Sequence, residues 1–282
     1  MSDINWYPGH MAKSRRLLAG QLKAVDAVVE LCDARAPFST RNPDLRALCR
    51  GKAHVLVLNK ADLANEGETN KWISHYGELG LFALPFRSIG GKKKAILTQI
   101  SKLTADKVDR LQQRGVNKTV RLMVIGIPNV GKSTFINCLR GQNIAKAADR
   151  PGVTRSHQWV KVGPYLELLD TPGMLWPKLS DQMCARNLAF LGSIRDQIMD
   201  SEELAGQLLE RLMELAPHAA RQRFRMEGAQ PGMTGHELLD MACAGRGWIR
   251  TGALPDTRRG AALVLDEYRA GKVGRITLEK PQ

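Results

Sequence analysis

None of the 282 residues belongs to an apolar run approaching the roughly 18 residues that crossing a bilayer takes. The chain therefore reads as soluble, with no membrane partner. Its first twenty residues, MSDINWYPGHMAKSRRLLAG, have no apolar centre between a basic start and a small-residue cleavage site, and Asp3 and Pro8-Gly9 interrupt them. A signal or transit peptide is not expected there, which points to the cytoplasm. Aromatic residues are few. The five cysteines, Cys32, Cys49, Cys138, Cys184 and Cys243, form no CxxC and accompany no paired histidines, which argues against zinc and for reduced thiols. Internal repeats, low-complexity segments and helicase motifs are also missing.

Positive charge, by contrast, is abundant: 42 Lys and Arg stand against 28 Asp and Glu, a net charge of +14. Pro177 to Gln282 carries 15 basic and 14 acidic residues, so Met1 to Trp176 holds 27 against 14 and nearly all of the surplus. The densest part is Arg87 to Arg121, with ten Lys or Arg and two Asp, including the run Lys92, Lys93, Lys94. Any single Lys run is ordinarily a solvated face. The asymmetry of the whole chain instead favours nucleic acid, because neutralising phosphates releases counterions.

A chain of this length accommodates an α/β domain of about 150 to 180 residues and a smaller second one. Ala24–Leu31, Ala53–Leu58, Leu81–Phe86 and Val120–Ile125 read as buried strands of a parallel sheet, and 160–162 with 166–169 as a hairpin around Gly163-Pro164. After Trp176-Pro177, Ala185–Leu191, Glu202–Leu215, Pro217–Met226 and Thr234–Ala244 show helical spacing. The expected architecture is α/β, a doubly wound sheet over residues 1–177, followed by a smaller, mainly helical domain over 178–282. In such sheets the ligand sits beyond the carboxyl ends of the strands.

Three motifs fall at those ends. Residues 126–133 read GIPNVGKS, a GxxxxGK[ST] pattern between a strand and a helix, as a phosphate-cradling loop requires. Gly126 and Gly131 let the backbone wrap phosphates, and the amides of Val130, Gly131, Lys132, Ser133 and Thr134 point at them from a helix N-terminus. Lys132 neutralises the β and γ phosphates and the Ser133 hydroxyl ligates Mg²⁺. Asn59, Lys60, Ala61 and Asp62 form NKAD after the run HVLVL. Guanine presents two donors on one edge, N1–H and the N2 amine, and the Asp62 carboxylate accepts both, which adenine cannot offer. NKxD alone is a weak signal; beside a phosphate loop it selects guanine. Arg87 and Ser88 follow the strand 81–86, where Ser88 is placed to support the base. Asp170 to Gly173 is DTPG: Asp170 holds Mg²⁺ through water, the Gly173 amide senses the γ-phosphate, and Thr154 in RPGVTR completes the Mg²⁺ shell.

The order is unusual, since the guanine motif precedes the phosphate loop, the switch threonine and DTPG. A closed domain of the ordinary kind then requires a circularly permuted chain, with both switch loops just ahead of the helical domain. In this order and in the segments WYPGHMAK (6–13), DARAPFSTRNP (33–43), GIPNVGKST, DRPGVTRSHQWVKVG and ELLDTPGMLWPK, the sequence resembles the ribosome biogenesis GTPase A family, closely from Asn5 to Lys178 and more loosely beyond. The resemblance implies a GTPase that binds GTP and GDP and assists assembly of the large ribosomal subunit, with a helical C-terminal domain on rRNA. It also implies that His10 orients the attacking water, a role that Met174, standing where many GTPases have Gln, cannot fill. It further implies that Asn129 lets K⁺ add positive charge near the β and γ phosphates. The chain is expected to work as a monomer on the precursor particle.

Two rivals remain. One is an RNA-binding switch in which GTP sets affinity and hydrolysis is incidental; the other, an ATP-dependent RNA remodeller, is opposed by Asp62. Trp6, Tyr7 and Trp159 read as base-stacking or as packing residues. Arg221, Arg223, Arg225, Arg246, Arg250, Arg258 and Arg259 read as phosphate ligands or as exposed helix charges.

Overall fold

Apolar runs buried on both faces assemble into a parallel sheet, and the strand runs do so here. The computed structural model describes residues 18–49, 51–87, 93–113, 119–141, 158–163, 166–171, 173, 181–194 and 200–281. Strands β1 (Ala27–Asp33), β2 (Ala53–Asn59), β3 (Phe82–Pro85), β4 (Val120–Ile125), β5 (Gln158–Gly163) and β6 (Leu166–Asp170) form one sheet in the order β3-β2-β1-β4-β6-β5. Every pairing is parallel except β5 against β6, the expected hairpin. β1 begins at Ala27 rather than Ala24, because the Lys23 and Ala24 amides turn back onto the Gly20 and Gln21 carbonyls.

Helices α1 (Pro43–Leu48), α2 (Glu66–Glu78), α3 (Lys94–Gln112) and α4 (Lys132–Arg140) cover this sheet. The period-two alternation of the strands sorts the contacts. Val29, Leu31, Val55, Val57 and Val124 face Ile96 and Ile100 of α3 and Phe135 and Leu139 of α4. Cys32, Leu56 and Leu58 face Trp72 and Tyr76 of α2 on the other side.

The helical part comprises α5 (Gln182–Phe190), α6 (Ser201–Leu215), α7 (Pro217–Phe224), α8 (Gly235–Arg246) and α9 (Thr257–Arg269). Its core joins Leu208 and Leu212 of α6, Phe224 of α7, Leu238 of α8 and Val264 and Tyr268 of α9. Asp200 caps α6, and Thr234 with Glu237 forms a reciprocal capping box on α8. α5 belongs to both parts: Ala185 and Leu188 pack with the sheet, Ala189 and Phe190 with the helices. Among the described residues no helix is long and apolar enough to cross a membrane.

A charge inside the sheet makes a stability test. Glu30, in the middle of β1, is 1% exposed and takes a two-pronged bond from Arg41, Nε to Oε1 at 2.9 Å and Nη2 to Oε2 at 2.8 Å, with His54 Nε2 at 3.0 Å. Burial alone would raise its pKa, but the His54 and Arg41 contacts outweigh burial and hold it at about 2. A carboxyl depressed in this way stabilises the fold at neutral pH, and its contribution disappears as pH falls from the ordinary Glu range through about 2. Arg41→Ala leaves the buried carboxylate with His54 alone and should cost about 3 kcal/mol in urea unfolding at pH 7. A loss below about 1 kcal/mol would show that the pair is solvated.

Candidate functional site

Because β2, β1, β4 and β6 are adjacent and parallel, the loops that follow them open on one edge of the sheet. The loop after β4 is GIPNVGKS. Gly131, the N-cap of α4, has φ +89, and a Cβ there would lie 2.6 Å from the Asn59 side-chain nitrogen, so both conformation and space call for glycine. Lys132 is 7% exposed and donates from Nζ to the Ile127 carbonyl at 2.8 Å, within the same loop. Burial pushes this lysine down to about 8, against a smaller upward pull from Asp170. Ser133 Oγ donates to Asp170 Oδ2 at 3.2 Å, so the expected pair of Mg²⁺ groups meets although the two lie 37 positions apart. Thr134 sits in the first turn of α4.

The loop after β6 lies on this one. Thr171 donates to the Val124 carbonyl at 2.7 Å. At Gly173 a Cβ would come within 2.6 Å of the Pro128 nitrogen, which only glycine avoids. DTPG is thus seated directly against the phosphate loop.

The loop after β2 carries NKAD and is stitched to the phosphate loop from the other side. Asn59 Nδ2 donates to the Val130 carbonyl at 2.8 Å, and Lys60 Nζ to the Asn129 carbonyl at 2.7 Å. The Ala61 amide donates to the Phe86 carbonyl at 3.1 Å, bringing the end of β3 alongside; Arg87 Nε stands 3.7 Å from Asp62 Oδ2. The two motifs that occur in reversed order are therefore held side by side, with only β1 between their strands. Asn129 has φ +63 and donates from Nδ2 to the Gly192 carbonyl at 2.5 Å, in the turn after α5. His10, Ser88, Thr154 and Met174 lie outside the described residues.

Asp33 and Arg35 carry no site role that the sequence alone reveals. Both are 1% exposed. Arg35 binds Asp33 with two prongs, Nε to Oδ1 at 3.0 Å and Nη2 to Oδ2 at 2.8 Å, and Lys60 Nζ lies 3.2 Å from Asp33 Oδ2. Burial would raise the Asp33 carboxyl; Arg35 and Lys60 outweigh burial and hold it well below the usual carboxylate range. The available signal was an Asp at the end of a fully buried strand, where a charge survives only with partners.

The arginines of the helical part divide into those with partners inside it and those without burial. Arg223 and Arg246 both turn inward onto Glu267 Oε1, at 2.7 and 3.2 Å, Arg250 pairs with Asp256 at 3.1 Å, and Arg221 donates to the Ala229 carbonyl. Arg221, Arg223 and Arg246 are engaged within the helical fold, whereas Arg225, Arg258 and Arg259 are exposed, as is Arg250 with its surface pair to Asp256. Trp159 is 43% exposed on the edge strand β5, with the Arg121 guanidinium 5.3 Å from its ring centroid.

Residues 121–218 match the family described as 50S ribosome-binding GTPase. Over 281 residues the chain is 41% identical to ribosome biogenesis GTPase A of Bacillus cereus, covering 99% of this chain and 94% of that one. It is 38% identical to mitochondrial ribosome-associated GTPase 1 of Mus musculus, over 98% of this chain and 90% of that one. Among solved structures, GNP-bound YlqF from T. maritima superposes with a TM-score of 0.66 at 26% identity, over 96% of this chain and 99% of that chain.

Proposed function

The chain belongs to the ribosome biogenesis GTPase A family, and from that premise we propose that it hydrolyses GTP to GDP and phosphate as an assembly factor for the large ribosomal subunit, gripping rRNA of the precursor particle in a nucleotide-dependent way. The observation that carries this reading is the double stitch of NKAD to the phosphate loop, Asn59 to Val130 and Lys60 to Asn129, with Ser133 and Asp170 paired beside it.

In this reading Lys132 and the amides of Val130 to Thr134 bind the phosphates and Asp62 reads the base. The Ser133 hydroxyl and Asp170 carboxylate are hard oxygen donors of the kind that suits Mg²⁺, and Thr154 is the third such group. Mg²⁺, when bound there, neutralises charge on the β and γ oxygens. Asn129, whose amide nitrogen is turned to Gly192, offers its amide oxygen to K⁺. His10 orients water, and Gly173 follows the γ-phosphate. Residues 1–177 form the nucleotide domain and 178–282 the RNA-facing one, acting as a monomer in the cytoplasm. Arg225, Arg258 and Arg259, exposed on the helical part, are the phosphate-facing arginines of that domain.

Met174 in place of Gln keeps the switch reading in play and sets the test. Multiple-turnover hydrolysis, measured with and without purified large subunits, should be slow alone and accelerate at least about tenfold with particles, since groups that orient water contribute on the order of 10²–10⁴ in rate. Particle binding should also weaken steeply with salt. Equal rates with and without particles would leave a GTP-gated binding module.

A further inference from the structure

The segment that follows α9 keeps Val273, Ile276 and Leu278 in the helical core while it reaches the guanine loop. Arg275 donates from Nε to the Ala64 carbonyl at 2.9 Å and from Nη2 to the Ala61 carbonyl at 3.3 Å. The Ile276 amide donates to the Leu63 carbonyl at 3.2 Å, and Thr277 Oγ1 accepts from the Asn65 amide at 3.1 Å. Four backbone groups of residues 61–65, the stretch that carries Asp62, are therefore held by three consecutive residues of the tail. Glu279 anchors the tail further on: it accepts from the Phe38 amide at 2.8 Å and from Asn187 Nδ2 at 3.0 Å.

The inner side of the same loop is tied to the helical part as well. Lys60 is fixed by Asp33 and Asp33 by Arg35, as described above. Arg35 Nη1 then donates to the carbonyls of Tyr268 at 3.2 Å and Arg269 at 3.1 Å, in the last turn of α9. Helix-terminal carbonyls have no partner within their own helix, so a buried guanidinium is a natural one for them. One loop is thus braced from both sides by residues 268–277.

Base recognition through two short hydrogen bonds demands that the accepting carboxylate be held to a fraction of an ångström, and a loop ordered before binding loses less entropy when the base arrives. We infer that Arg275 and Arg35 are positioning residues for guanine recognition, acting through the Ala61 carbonyl and Lys60 to hold Asp62 in place, so that the helical part is a structural component of the base site. The inference rests on the guanine-nucleotide reading proposed above. Linkage makes the effect reciprocal: base binding also tightens the seating of the tail.

The test uses the full-length chain and compares GDP with IDP, which lacks the 2-amino group and forfeits one of the two bonds to Asp62. Arg275→Ala, at a half-exposed position, should weaken GDP binding about five- to tenfold and narrow the GDP-to-IDP affinity ratio, with Arg275→Lys between it and the parent, because Lys replaces at most one of the two bonds to the loop carbonyls. kcat at saturating GTP should not change. Arg35→Lys should narrow the ratio further, and GDP should slow hydrogen exchange of the Ile276 amide in the parent but not in Arg275→Ala. A parent chain that fails to bind GDP overturns the proposed function itself. A parent that binds GDP while Arg275→Ala keeps the parent's affinity and ratio, or loses affinity at constant ratio, overturns the positioning role alone.

Discussion

A Lys132→Ala variant is expected to lose GDP and GTP affinity by about a hundredfold or more, on the order of 3 kcal/mol, measured by titration of a fluorescent GDP analogue. The side chain is buried, its ammonium already donates inward to the Ile127 carbonyl, and it sits in the loop whose backbone turns at Gly131. A phosphate arriving there meets a cation with little water to screen it, which is where charge-assisted bonds are strongest. The same burial gives the parent protein a pH signature. With its pKa pushed down to about 8, Lys132 is increasingly neutral above that pH, whereas bound phosphates favour the charged form. Nucleotide affinity should therefore fall by up to about tenfold per pH unit above 8, with proton uptake on binding, and the alanine variant should lack this slope. For folding the sign is opposite: between about 8 and the ordinary 10.5 the unfolded chain holds the extra proton, so Lys132 makes the folded state relatively more stable as pH rises through that window. Parent-like affinity in Lys132→Ala removes the loop from the phosphate site.

The sheet and its three loops were legible because each rests on local chemistry. A phosphate loop must have glycine where Gly131 takes φ +89, and NKAD and DTPG must end strands to reach a ligand. The reversed order of the motifs was no obstacle, since sheet position, not chain position, brings β2 and β4 to the two sides of β1. What escaped the sequence depends on pairings across long separations. Arg223 and Arg246 look like solvated helix charges until Glu267, 44 and 21 positions away, is seen between them. Asp33 and Arg35 sit in a segment that stands out only for its family resemblance, yet Arg35 contacts Tyr268, 233 positions later. Asn129 is similar: its local motif speaks of phosphates, and its side chain also reaches Gly192. α9 is not legible in the sequence because Arg258, Arg259 and Gly260 interrupt its opening turn, and packing of Val264, Leu265 and Tyr268 on the helical core decides in favour of helix.

Replacing Asp62 by Asn should produce the largest change in specificity. Carboxylate and carboxamide have nearly the same shape, but the first accepts two hydrogen bonds and the second accepts one and donates one. Guanine, with two donors on the edge concerned, would then face an N–H across one of them, leaving a polar pair opposed; GDP affinity should drop about a hundredfold or more. Xanthine carries a carbonyl where guanine has the 2-amine, so the introduced carboxamide could donate to it, and XDP should become the preferred diphosphate. The fold should hardly notice. Asp62 and Arg87 are 33% and 57% exposed at 3.7 Å, a solvent-screened pair whose loss should shift unfolding by less than about 1 kcal/mol. Stability and specificity are thereby separable in one variant: an unfolding midpoint near the parent's together with an inverted GDP-to-XDP ratio is the expected result. Retained GDP preference at full stability would mean that the base is read by another group, and that the site formed by NKAD and the phosphate loop binds its nucleotide in a different orientation.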